Sequence, residues 1–146
     1  MPSPQPSAPA VAPTLDPAAP LIFIINAASG SSDGDAKRVV IEDALRAAGR
    51  QGDVRFVRPD ALAQEARAAA ATALATRSAV VAVGGDGTIN AVAQAAHAAG
   101  CAMGVVPLGT FNYVARTHGI PTEPAEAAQM LIHAVPVPVQ VGTVND

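Results

Sequence analysis

The sequence predicts an α/β fold, a parallel sheet whose strands alternate with helices. Three observations point to it. Leu21-Ile22-Phe23-Ile24-Ile25 and Ala79-Val80-Val81-Ala82-Val83 are short apolar runs without a polar break, the pattern of parallel strands covered on both faces. Between the strands lie stretches with apolar residues at helical spacing, and that alternation calls for right-handed βαβ crossovers. Three loops rich in Gly, Asn, Ser or Thr, at 26–35, 84–88 and 107–112, follow strands, on the carboxyl edge where such sheets bind ligands.

Residues 1–20 hold seven of the thirteen prolines, mixed with Ala and Ser. They contain no basic n-region and no continuous apolar core, so they are expected to be a disordered tail rather than a signal peptide. Run 21–25 is the first strand, followed by Asn26-Ala27-Ala28-Ser29-Gly30 and a polar loop to Asp35. Val40, Ala44, Leu45 and Ala48 then line one face of a helix that Gly49 or Gly52 would stop. Val54-Arg55-Phe56-Val57 alternates, which places this strand nearer an edge. Leu62, Ala66, Ala69, Ala73 and Leu74 form the inward face of the next helix, with Glu65 and Arg67 off it.

Run 79–83 is the strand expected at the centre of the sheet, and a helix over 88–98 follows it through Ile89, Val92, Ala93 and Ala96. The fourth strand is Ala102 to Val106, leading into Pro107-Leu108-Gly109-Thr110-Phe111-Asn112 and a short helix through Val114, Ala115 and Arg116. Thr122 or Glu123 caps a helix at Pro124 that turns Ala128, Leu131 and Ile132 inward. In 136–144, Val137, Val139 and Val141 alternate with Pro138, Gln140 and Gly142, as in an edge strand or a departing linker. The α/β domain is therefore expected over 21–135.

With 146 residues, one domain with a real core is the expectation. Half of the residues are hydrophobic but only 3% aromatic, so Ala, Val, Ile and Leu must fill that core. A net charge of −3 without a basic cluster gives nucleic-acid binding no support. The single cysteine, Cys101, excludes an internal disulfide and a cysteine metal cluster, and reads as a small buried hydrophobe. His97, His118 and His133 lack ligand spacing. The most membrane-like stretch, 88–108, is broken by Asn90, Gln94, His97, Gly100 and Pro107. A soluble, cytoplasmic protein is expected.

Asp86 is the only formally charged residue between Arg77 and Arg116, set in Gly84-Gly85-Asp86-Gly87-Thr88. The three glycines let a ligand approach the main chain, and the helix start behind them presents N–H groups to an anion. A phosphate site follows; the plainer alternative is a turn in which Asp86 caps the helix. Other glycine-loop classes fail on particular residues. A dinucleotide fingerprint would need glycine where Asn90 stands. A P-loop would need Gly-Lys-Ser/Thr, yet the only lysine, Lys37, follows Ala36. Gly30-Ser31-Ser32-Asp33-Gly34 fits a hydrolase pattern, but Ser32 lies too far past its strand for a nucleophile turn.

Taken together, the three loops resemble those of the diacylglycerol kinase-like lipid kinases of bacteria, a family similar to sphingosine and ceramide kinases and distantly to NAD kinases and 6-phosphofructokinases. Asn26-Ala27-Ala28-Ser29-Gly30 looks like the family's Asn-Pro-x-Ser-Gly loop, and Gly84-Gly85-Asp86-Gly87-Thr88-Ile89-Asn90 like its Gly-Gly-Asp-Gly-Thr signature, shared with NAD kinases. Pro107 to Asn112, with Ala115-Arg116 and Gly119-Ile120-Pro121, resembles a loop of the lipid kinases and not of NAD kinases. Three positions depart from the pattern. Ala27 stands for proline, Tyr113 for an aspartate, and a threonine usual near Arg58-Pro59 is missing.

The resemblance implies a three-layer parallel-sheet nucleotide-binding domain of the NAD kinase/diacylglycerol kinase type, using ATP and Mg2+ to phosphorylate a lipid hydroxyl. Backbone amides of Gly84, Gly85, Gly87 and the Ser29-Gly30 turn are expected to hold phosphate oxygens. Asn26, Ser29, Thr88, Thr110 and Asn112 would add side-chain hydrogen bonds, with Gly109 in the same third loop. Asp86 is the candidate catalytic residue. An anion cannot bind phosphate directly, so Asp86 faces Mg2+, caps the helix, or accepts the proton of the attacking hydroxyl. The resemblance favours the latter two without separating them.

It also implies a β-rich, C-terminal lipid-binding domain absent from this chain, toward which 136–146 would lead. Expected partners are a lipid of diacylglycerol or sphingoid type, a membrane surface touched transiently from the cytoplasm, and a second copy through an uncovered apolar face. A non-catalytic nucleotide-binding module and an NAD kinase-like enzyme are the alternatives.

Overall fold

The computed structural model describes residues 14–26, 31–107, 119–121 and 124–133. Among these, four strands form one parallel sheet in the order β2-β1-β3-β4. β1 is Leu21–Asn26, β2 Gly52–Val57, β3 Ala79–Gly84 and β4 Ala102–Pro107. Four helices accompany them: α1 over Ser31–Ala48, α2 over Leu62–Thr76, α3 over Asp86–Ala99 and α4 over Pro124–His133. A short 3-10 turn, Pro59–Ala61, leads into α2. The alternating strand is at an edge and run 79–83 lies between two neighbours, as their patterns require.

Sheet order explains how the helices divide. From β1 the chain moves one way to β2, then crosses back past β1 to β3 and on to β4. Right-handed crossovers running in opposite directions put their helices on opposite faces. Side-chain alternation shows the split: Leu21, Phe23 and Ile25 pack with Ile41, Ala44 and Leu45 of α1 and with Ala127, Ala128 and Ile132 of α4. Ile22 and Ile24 pack on the other side with Ala66, Ala69, Ala70 and Ala73 of α2 and Ile89, Val92, Ala95 and Ala96 of α3. The result is the expected three-layer α/β arrangement, with a core built almost wholly of Ala, Val, Ile and Leu.

Gly104 on β4 marks a close approach between layers, because a Cβ there would collide with Leu131 Cδ1 of α4. That glycine lets α4 lie down on the strand.

Several expectations shift. The helix after β1 begins at Ser31, where a polar loop to Asp35 was expected; polar composition hid a helix start. Leu74 is 48% exposed and Ala70 is buried in its place. At 3.6 residues per turn, position 74 lies about 80° round from position 66 but position 73 only about 20°. Ala93 is only half-buried, while Ala95 joins the core.

Part of the expected tail is also docked. Asp16 N–H donates to the Arg77 carbonyl at 2.7 Å, and the buried Ser78 hydroxyl donates to the Pro20 carbonyl at 2.6 Å. Leu15 packs against the core on the α1 side. The docked chain thus begins before Leu21. Segment 136–146 and the cap residues 122 and 123 lie outside the described residues.

Candidate functional site

Parallel register brings three strand ends into one row. Ile25 lies beside Val83 and Gly84 beside Pro107, so β1, β3 and β4 finish together at Asn26, Gly84 and Pro107. Strand order reverses between β1 and β3, and a crevice opens at the carboxyl edge of such a switch. The 26–35, 84–88 and 107–112 loops all leave from this row. Within them, Ser29, Gly30, Gly109, Thr110 and Asn112 lie outside the described residues, as does Tyr113.

The β3–α3 connection is very short. β3 ends at Gly84, Gly85 takes the N-cap position with extended backbone, and Asp86 is already helical. The first turn closes with Ile89 N–H donating to the Gly85 carbonyl at 3.0 Å. A helix so placed directs its positive end toward the carboxyl edge of the sheet. Asp86 is half-buried in the first turn. The cap itself falls on Gly85, which makes no side-chain cap bond, so the alternative with Asp86 in the cap position does not describe this turn.

The glycines and Thr88 divide into two groups. A Cβ on Gly84 would sit 2.9 Å from Thr88 Oγ1 and 3.0 Å from Thr88 Cβ, closer than real side chains approach. Thr88 is only 4% exposed, and its hydroxyl accepts a hydrogen bond from Asn26 Nδ2 at 3.4 Å. Gly87 is different: it is exposed, and a Cβ there would meet nothing within 4 Å. The structure therefore brings Asn26, Gly84 and Thr88 together at the edge and leaves Gly87 exposed.

The pairing of Asn26 with Thr88 spans 62 residues, and no local spacing in the sequence could have announced it. Among the described residues no three His, Cys, Asp or Glu side chains gather as a metal site. Cys101 lies just before β4, at the opposite end of the sheet, and burial pushes its thiol above the ordinary value.

A parallel three-layer sheet with a glycine turn and helix start at its switch point defines the class, an α/β domain with its candidate site at the carboxyl edge of the strands. Residues 20–144 match the diacylglycerol kinase catalytic domain family, and the chain belongs to that family. A Pseudomonas aeruginosa protein named "Probable lipid kinase YegS-like" is 44% identical over 105 residues, covering 70% of this chain and 33% of the relative. The Bacillus subtilis protein named "Diacylglycerol kinase" is 42% identical over 74 residues, covering 45% of this chain and 23% of its own length. A crystal structure of a diacylglycerol kinase from Bacillus anthracis has the same fold, with a TM-score of 0.61 at 23% identity over 77% of this chain and 38% of that one. The chain thus spans about a third or less of the length of these two curated relatives.

Proposed function

We propose that this chain is the nucleotide-binding half of an ATP-dependent lipid kinase, transferring the γ-phosphate of ATP to the hydroxyl of a diacylglycerol or sphingoid lipid. The observation that carries the reading is the placement of Asp86. The only formal charge between Arg77 and Arg116 stands in the first turn of α3, beside the row of strand ends, with open space over Gly87.

This edge suits a triphosphate. Main chain at Gly85 and Gly87 carries no side chain, the helix start supplies positive potential, and the open side of Gly87 leaves room for phosphate oxygens. Ser29, Gly30, Gly109, Thr110 and Asn112 belong to the two loops that would complete the cradle. Among the described residues the edge offers backbone N–H groups rather than clustered carboxylates, and a Mg2+ ion carried in with the nucleotide would supply neutralisation of the phosphate charge.

In the transfer itself, the lipid hydroxyl oxygen bonds to the γ-phosphorus while the bond from phosphorus to the β,γ-bridging oxygen breaks. ADP leaves, and the hydroxyl proton passes to the Asp86 carboxylate. Positioning and charge stabilisation dominate such a reaction, so the rigid strand ends matter as much as the acid. The lipid would be met at a membrane surface, and no helix among the described residues is long and apolar enough to cross one.

The test is to give the complete protein ATP with diacylglycerol, sphingosine and NAD side by side. Phosphorylation of a lipid is expected. Phosphorylation of NAD alone would refute the lipid reading, and no transfer to any of the three would favour a binding module.

A further inference from the structure

Thr88 was expected to bond phosphate, but its burial and its partner argue for another role. Its side chain is buried between the end of β3 and the end of β1, and a Cβ on Gly84 would lie 2.9 Å from its hydroxyl oxygen, so that Thr88 would have to shift. Its hydroxyl oxygen accepts a hydrogen bond from the Asn26 carboxamide, which donates through Nδ2. Asn26, in contrast, is half-buried and is the last residue of β1, where the first loop departs.

From this geometry we infer that Gly84 and Thr88 do not touch the nucleotide. They form a latch across the switch point that fixes the Asn26 carboxamide, and Asn26 carries their effect to the ligand. The glycine turn then contains two functions. Gly85, Asp86 and Gly87 face the ligand, while Gly84 and Thr88 are positioning residues that hold the first and second loops in register. The absence of a Cβ at Gly84 belongs to the latch, since that is what lets Thr88 lie against the strand end. A threonine suits its own position because its hydroxyl reaches Asn26 while its methyl fills the buried space beside β3, a combination that neither serine nor valine offers in full.

The inference rests on the kinase reading for the identity of the ligand, so it is tested first without one. In the unliganded complete protein, Thr88→Val keeps the shape and removes the hydroxyl, whereas Thr88→Ser keeps the hydroxyl. Solvent exchange of the Asn26 side-chain amide protons, followed by NMR, should speed up in Thr88→Val and stay near the wild-type rate in Thr88→Ser. Equal exchange in all three proteins overturns the latch.

Calorimetric titration with MgADP then separates an indirect role from a direct one. Thr88→Val should weaken binding about five-fold, the worth of one typical hydrogen bond, and Thr88→Ser should restore most of it. In an Asn26→Ala background the same Thr88→Val change should cost nothing further, since sites that act through one another are not additive. A full five-fold loss in that background would show that Thr88 binds the nucleotide itself and would overturn the inference. Wild-type protein that binds no nucleotide would instead overturn the kinase reading and the ligand-positioning role together, while the exchange result would still decide the latch.

Discussion

At the scale of single residues, Gly87 poses the sharpest question. A glycine inside a helix costs roughly 0.5–1 kcal/mol relative to alanine, and among the described residues nothing lies within 4 Å of where its Cβ would be. A ligand that must lie against the main chain is a sufficient reason. Gly87→Ala should therefore raise the unfolding free energy by about 0.5–1 kcal/mol while weakening nucleotide binding; a variant both more stable and equally tight would remove that reason. Gly84→Ala should behave oppositely and destabilise the fold, because its Cβ meets Thr88. Cys101 offers a check at the far end of the sheet. Its thiol is raised by burial, so less thiolate is present at a given pH and alkylation should run slower than for an exposed cysteine at pH about 8. The rate should keep climbing above the pH where an exposed thiol levels off.

The elements show where local pattern sufficed and where it did not. Buried-type runs identified β1 and β3 because both faces of each are covered, and alternation marked β2 as peripheral because one face meets less of the core. Periodicity failed at α1, whose first turn is polar, and at Leu74, which sits at the margin of the buried stripe. The lead-in over 16–20 was missed for a different reason. Its docking uses a backbone bond from Asp16 N–H to the Arg77 carbonyl and the Ser78 hydroxyl's bond to the Pro20 carbonyl, not a hydrophobic repeat. Ser78→Ala removes a buried hydroxyl bonded to the Pro20 carbonyl and should cost about 1 kcal/mol in urea unfolding; no change would mean that this hydrogen bond contributes nothing to stability. The α4 layer can be probed at Gly104. Valine there must displace Leu131 and should cost about 1–3 kcal/mol by overpacking, with alanine costing less because half-buried Leu131 can turn aside.

For the whole molecule, the three-layer fold was legible because strand–helix alternation leaves few topologies once crossovers are right-handed. The order β2-β1-β3-β4 was not, since the direction in which each crossover travels has no local signature. Once that order is known, the site follows from it: a reversal between β1 and β3 puts Asn26 beside the Gly84 turn. Asp86 stood out in the sequence because an isolated charge in an apolar stretch needs a reason, whereas the buried role of Thr88 emerges only from three-dimensional contact. Residues from two of the three loops remain expectations from resemblance to the lipid kinases.

Transfer of labelled phosphate from ATP to diacylglycerol by the complete protein, with wild type and Asp86→Asn side by side and nucleotide affinity measured on both, is the most direct test of the claim that the β3–α3 turn is the catalytic edge. Loss of an essential general base lowers turnover by about 10²–10⁴-fold, and Asp86→Asn should show a loss of that order while binding ATP within about three-fold of wild type, because backbone amides rather than the carboxylate are assigned to the phosphates. Undiminished turnover in Asp86→Asn would contradict that claim.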